Sequence, residues 1–421
     1  MLVSLLALVV AAQSPAPLDS AAVARLLLQL KTTDSTICKL AGQALTNYGG
    51  WWWWGRTEPG MPMPKPMPMP MPMPGGGAMG MHIGMHEMES DIDPGVLRAF
   101  RAVIRDENRC VRNIAARFLG NRGGSASYDL FISLLRDARA DLRETGALGL
   151  GELEDSRAIG PLSTVSSGDS SVAVRMTAVW ALGEIEETSA IDALARALKD
   201  RAPEVRRTAA WAIGEIESTR GVQPLRDVLD DPVFDVRMAA VWALGEIEDA
   251  SAVPVLTPAT RDRDPRVRQA AAWSLGEIES SQGIAALEPL VRDPVVDVRK
   301  TALWALGEIE DEGGVRVASN GLKDADPEVR ALAAWALGEI EDESAVTPLV
   351  AALKDPDIEV RATAAWALGE IESPLAREGL TAAQSDASGS VRRAATWALK
   401  QIDDDDDDSH IRIRPRIKVK P

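Results

Sequence analysis

Residues 203–217 read Pro-Glu-Val-Arg-Arg-Thr-Ala-Ala-Trp-Ala-Ile-Gly-Glu-Ile-Glu, and variants of this phrase recur through more than half of the 421-residue chain. Its tryptophan is one of eight, Trp180, Trp211, Trp242, Trp273, Trp304, Trp335, Trp366 and Trp397, each 31 residues after the last. A fixed period in this range predicts a helical repeat array, in which each unit buries its apolar face against its neighbours. The arginine of the phrase keeps the same beat and extends it toward the N-terminus, through Arg112 and Arg143 to Arg392, with one step of 32 residues. With a divergent unit at residues 18–50, the expected fold is all-α, a right-handed α-solenoid of about eleven helix pairs.

Placed on a helical wheel at about 100° per residue, Val205, Ala209, Ala212, Ile213 and Ile216 share one apolar sector. Trp211 points about 150° from the centre of that sector, and Glu215, one turn on, lies beside it. The expected face of the array is therefore a row of tryptophans next to a row of glutamates: Glu184, Glu215, Glu246, Glu277, Glu308, Glu339 and Glu370. Met176, Arg207, Met238, Gln269, Lys300, Ala331, Ala362 and Arg393 flank them. A tryptophan face attracts Lys, Arg or quaternary ammonium groups, and a neighbouring carboxylate adds charge attraction. Rows of both suit an extended basic protein or peptide segment, with a glycan as a second kind of ligand. The competing expectation is structural, each ring leaning over the adjacent repeat to seal the seam. Arg206 and its equivalents are expected to form ion pairs that hold the stack.

A second-order pattern overlies the first. Pro203, Pro265 and Pro327 stand eight residues before their tryptophan, and Pro232, Pro294 and Pro356 stand ten before theirs, so a pair of repeats is the duplicated unit.

The phrase resembles the HEAT-like repeats associated with phycobilisome lyases and the artificial scaffolds built from a similar consensus. The residues that carry the likeness are Asp-Pro-Glu-Val-Arg at 326–330, Ala-Leu-Gly at 336–338, and Ala-Val-Thr-Pro-Leu-Val-Ala-Ala-Leu at 345–353. The resemblance implies that the second helix of each pair lines a concave surface, which would place the Trp and Glu rows in a groove. It leaves function open among scaffolds, accessory subunits of lyases or other enzymes, hydroxylases and nucleic-acid binders. A HEAT-like deoxyhypusine hydroxylase needs repeated His-Glu pairs, but His82, His86 and His410 are the only histidines and none lies in a repeat. The net charge of -17 and pI of about 4.8 weigh against nucleic acid and favour basic partners. With no nucleophile–base pair or phosphate loop, the chain is expected to be non-enzymatic.

The remaining segments have other compositions. Residues 1–17 hold an apolar run and then Gln-Ser-Pro-Ala-Pro, a secretory-signal pattern that points to export, to a periplasm or cell envelope, although no basic residue precedes the run. Residues 51–92 form a low-complexity insertion that opens on Trp51, Trp52, Trp53 and Trp54, a candidate contact with a membrane interface. It continues in Met-Pro alternation, which excludes helix. Its Met79, Met81, His82, Met85, His86 and Met88 are soft and borderline donors suited to copper, and a periplasmic copper-handling protein is the alternative function. Residues 93–402 are the array. Residues 403–421 comprise an aspartate run and a basic tail alternating at period two; the tail 409–421 is a candidate self-ligand for the acidic face. Cys38 and Cys110, the only cysteines, are candidates to pair.

Overall fold

The computed structural model describes residues 20–30 and 93–405. Among these, every regular element is helical. The chain divides near Pro161–Leu162 into two compact units.

In the first unit, α1 (Ser20–Leu30) buries Val23, Leu27 and Leu30 and packs on α2 (Pro94–Val103). Asp93 caps α2 by accepting from the Gly95 amide, and proline occupies the first turn, where its missing N–H costs nothing. α3 (Arg109–Arg122) follows under an Asn108 cap, then α4 (Tyr128–Leu135) and α5 (Ala140–Glu152). The Phe100 and Phe118 rings stack with centroids 4.0 Å apart, and Phe131 fills the space left by Gly149. The division falls within α6 (Ile159–Gly168).

The second unit is the regular array. Its second helices are α7 (Val172–Glu184), α9 (Pro203–Glu215), α11 (Phe234–Glu246), α13 (Pro265–Glu277), α15 (Val296–Ile309), α17 (Pro327–Ile340), α19 (Ile358–Glu370) and α21 (Gly389–Asp405). They pack directly on one another in sequence. The first helices of the later pairs are shorter: α8 (Ile191–Ala197), α10 (Val222–Arg226), α12 (Val253–Leu256), α14 (Ile284–Leu287), α16 (Val315–Gly321), α18 (Val346–Ala352) and α20 (Arg377–Ala383). In the middle of the array they break into 3₁₀ turns around Pro258 and Pro289, since a proline inside a helix removes a hydrogen bond and crowds the preceding turn.

What joins one repeat to the next is the expected arginine, whose partner is an aspartate 25 residues further on. Arg175–Asp200, Arg206–Asp231, Arg237–Asp262, Arg268–Asp293, Arg299–Asp324, Arg330–Asp355 and Arg361–Asp386 form an unbroken ladder with N···O distances of 2.6–2.8 Å. Each guanidinium also donates backward through Nη1, as Arg268 does to the Asp262 carbonyl at 2.9 Å. Each aspartate in turn accepts from the backbone just before the next second helix, as Asp293 does from the Val295 amide at 2.9 Å. One carboxylate thus fixes both the interface and the entry of the following helix. Burial alone raises the Asp293 carboxyl, but the bonds from Arg268 and Val295 outweigh it and hold it below the ordinary aspartate value.

The two-repeat pattern has a local meaning. Pro203, Pro265 and Pro327 open their helices, and Phe234, Val296 and Ile358 take that place in the alternate units.

Candidate functional site

The tryptophans do not point into open space. Trp180 and Trp304 are only 6% and 4% exposed, and the rings of Trp211, Trp242, Trp273, Trp335 and Trp366 are half-buried. The wheel places Trp away from its own repeat's core, yet single-helix geometry omits the neighbouring repeat. Each ring from Trp304 onward lies over the glycine of the preceding second helix. A Cβ on Gly276 would approach Trp304 Cζ3 to 2.8 Å, and one on Gly338 or Gly369 would meet Trp366 or Trp397 at 2.9 or 2.5 Å. Gly214 holds Trp242 in the same way. Of the two expectations for the rings, the contacts at Gly214, Gly276, Gly307, Gly338 and Gly369 favour the one in which they seal the seam. Trp397, on the last described helix, is 36% exposed.

The glutamates of the row occupy the final turn of each second helix and are half-buried. Trp304 donates to Glu308 one turn on. Burial and the charges of Glu277, Glu279 and Glu310 nevertheless push the Glu308 carboxyl up to about 7. Glu339 is pushed up to about 7 by burial and by Glu370, Glu308, Glu310 and Glu341. The carboxylates of successive repeats therefore sense one another along a continuous acidic row.

A second row escaped the sequence reading. Glu154, Glu186, Glu217, Glu248, Glu279, Glu310, Glu341 and Glu372 all adopt left-handed backbone, with φ between 48° and 53°. Each stands two residues after a glutamate of the first row, and the Glu310 amide closes its helix by donating to the Gly307 carbonyl at 3.2 Å. Glycine is the usual residue at such a position. The signal was the second glutamate of Glu-Ile-Glu, which a wheel treats as one more helical position.

The first row also has an earlier member. Glu152 ends α5 at the place of Glu184, while Arg117 and Asn121 on α3 stand where later helices carry Trp and Glu. Arg117 Nη1 lies 2.9 Å from Glu152 Oε1, and Asn121 Nδ2 donates to Oε2 at 3.0 Å.

Of the flanking positions, Lys300 pairs with Glu328 at 2.7 Å and Gln269 donates to Thr301 at 3.2 Å, both reaching the next repeat, while Ala331 is buried. Met79, Met81, His82, Met85, His86, Met88, Trp51 to Trp54, Cys38 and the tail 409–421 lie outside the described residues. Cys110 is disulfide-bonded. Among the described residues no group of three or more His, Cys, Asp or Glu is placed to hold a metal ion, and no helix is long and apolar enough to cross a membrane.

The family model for HEAT repeats matches residues 128–202, 159–244, 195–264, 223–307 and 315–400, more than half of the chain. The chain belongs to the HEAT-repeat family. Among solved structures, this HEAT-repeat protein is similar to Kap95p as seen with RanGDP, at 15% identity and a TM-score of 0.57, over 91% of this chain and 56% of that one. Yeast importin-β (Kap95p) gives 15% identity and a TM-score of 0.50, over 74% of this chain and 51% of that one. An engineered protein is 24% identical over 73% of this chain and 98% of its own, with a TM-score of 0.43. Identities this low speak to the fold alone. No curated protein sequence matches the chain.

Proposed function

We propose that this HEAT-repeat protein is a non-enzymatic scaffold for a basic protein or peptide segment, bound along the Trp and Glu rows of its second helices. One observation carries the proposal: every regular repeat places two carboxylates at the C-terminal end of its second helix, such as Glu308 and Glu310. Negative charge there opposes the helix dipole, and the second glutamate also bears a left-handed backbone that glycine would adopt more cheaply. Both placements carry a cost to folding. Both serve a surface that meets positive charge. The half-buried indoles between the carboxylates supply flat apolar edges for the stems of Lys and Arg.

The test uses the full chain and an array of immobilised peptides varied in charge. Replacing Glu277, Glu308, Glu339 and Glu370 together by Gln should abolish capture of basic peptides while leaving the melting temperature unchanged or higher. Retained capture by the substituted protein would end the proposal. The disulfide at Cys110 supports the further reading that the protein works outside the reducing cytosol.

A further inference from the structure

Every rung of the arginine ladder from Arg175 to Arg361 closes on an aspartate 25 residues further on, and Arg392 continues the ladder without one. Ile417 stands where that aspartate would be. The Arg392 guanidinium is anchored as the others are, Nη1 donating to the Asp386 and Ala387 carbonyls at 2.7 and 2.9 Å. Its Nε and Nη2, which Arg361 spends on Asp386, meet no carboxylate among the described residues. The Arg361 side chain is 14% exposed, whereas Arg392 is open to solvent. A planar fork held in place with two donors unspent is a seat for a carboxylate.

The other end of the same helix offers the carboxylate. At about 100° per residue, Arg392, Thr396, Leu399 and Asp403 of α21 fall within a sector of about 60°. Arg392 and Asp403 stand about 16 Å apart along the axis. Asp403 gives Oδ1 to Arg377 of α20 and is still 61% exposed. It opens a final turn, Asp403 to Asp405, whose charge opposes the helix dipole. Beside this face a cleft of about 430 Å³ lies between α20 and α21, lined by Thr381, Gln384, Thr396, Leu399 and Lys400. We propose that this face docks a second copy of the chain, the two α21 helices lying antiparallel about a two-fold axis. Charge complementarity selects that occupant. A two-fold that sets Arg392 against the second copy's Asp403 also sets Asp403 against the second copy's Arg392, and it pairs Thr396 with Leu399 in both directions. Both open seats of the ladder are then closed, and side chains of each helix enter the cleft of the other. The chain's own tail is a poorer fit, since turning back along α21 would bring Arg412, Arg414 and Arg416 to a face that already holds Arg392 and Lys400.

The experiment follows the mass of the full chain in solution by sedimentation velocity, over a concentration series at low salt. A pair of 17-residue helices buries less than the roughly 1,600 Å² of a standard interface, so monomer should give way to dimer with a Kd of about 1–100 μM. Arg392→Glu and Asp403→Arg should each weaken self-association at least about tenfold, because like charges then face one another twice per dimer. Both sites are exposed, so circular dichroism should show unchanged helix in each variant. An equimolar mixture of the two variants should dimerise again, since every facing pair between them has opposite sign. Self-association that Arg392→Glu does not weaken overturns the proposal, as does a folded mixture that stays monomeric. An unsubstituted chain that is still monomeric at about 1 mM overturns the second copy as occupant and leaves the seat to a foreign acidic segment.

Discussion

A glutamate held at φ 49° in Glu310 carries a strain that glycine does not. Glu310→Gly should therefore raise stability by about 1 kcal/mol, read from the midpoint of urea unfolding. An unchanged or lowered midpoint would contradict the left-handed assignment. The opposite sign is expected at Trp304, whose ring is 4% exposed and sits on Gly276. Trp304→Ala should cost about 3–5 kcal/mol through the cavity it leaves. At this scale the sequence was informative about identity and less so about direction. The spacing located the eight tryptophans of the array and seven first-row glutamates, but not Glu152. It left the sealing of the seam against an adjacent repeat as one of two expectations, because a wheel contains only one helix. Nor did it show the second acidic row, since Glu-Ile-Glu reads as continued helix until the backbone turns left-handed at Glu186 and its equivalents.

Between elements, contacts of two kinds recur, one electrostatic and one steric. The Arg268–Asp293 pair is largely buried, so Arg268→Ala leaves an uncompensated carboxylate and should cost about 3–5 kcal/mol. Adding Asp293→Ala removes that charge, and the double variant should be no less stable than Arg268→Ala alone; greater loss would show that Asp293 acts mainly through the Val295 amide. On the steric side, Gly276 has Trp304 Cζ3 and the Ala305 Cα within 3.0 Å of where a Cβ would stand. Gly276→Ala should destabilise by about 1–3 kcal/mol through overpacking. The last repeat supplies the natural contrast. Lys400 replaces that glycine and Thr396 replaces a buried alanine, and both are exposed on α21, the last helix of the described residues. The helix pairs themselves were legible from periodicity and capping residues such as Asp326, whereas the break-up of the shorter first helices depends on which prolines fall inside them.

Across the whole molecule, two sets of carboxyls titrate with opposite effects on folding. Asp200, Asp231, Asp293 and Asp355 are held below their ordinary value, so their contribution is present above about pH 4 and is lost as pH falls through the folded values. Glu308 and Glu339 stand near 7, above the ordinary 4.5, so the folded state is disfavoured as pH rises through the interval between those values. The melting temperature should consequently be higher at about pH 5.5 than at about pH 8. Glu308→Gln with Glu339→Gln should reduce the difference, and an unaltered profile would assign it to the net charge of -17 instead.

The Arg–Asp ladder has a consequence for how such a chain changes over generations. Arg268 reaches Asp293 exactly as Arg206 reaches Asp231, so the surface that any unit offers to the next is nearly the same throughout. Loss or gain of one two-repeat block rejoins matching halves and breaks no bond that is not remade. Length can then drift by recombination while the fold stays intact.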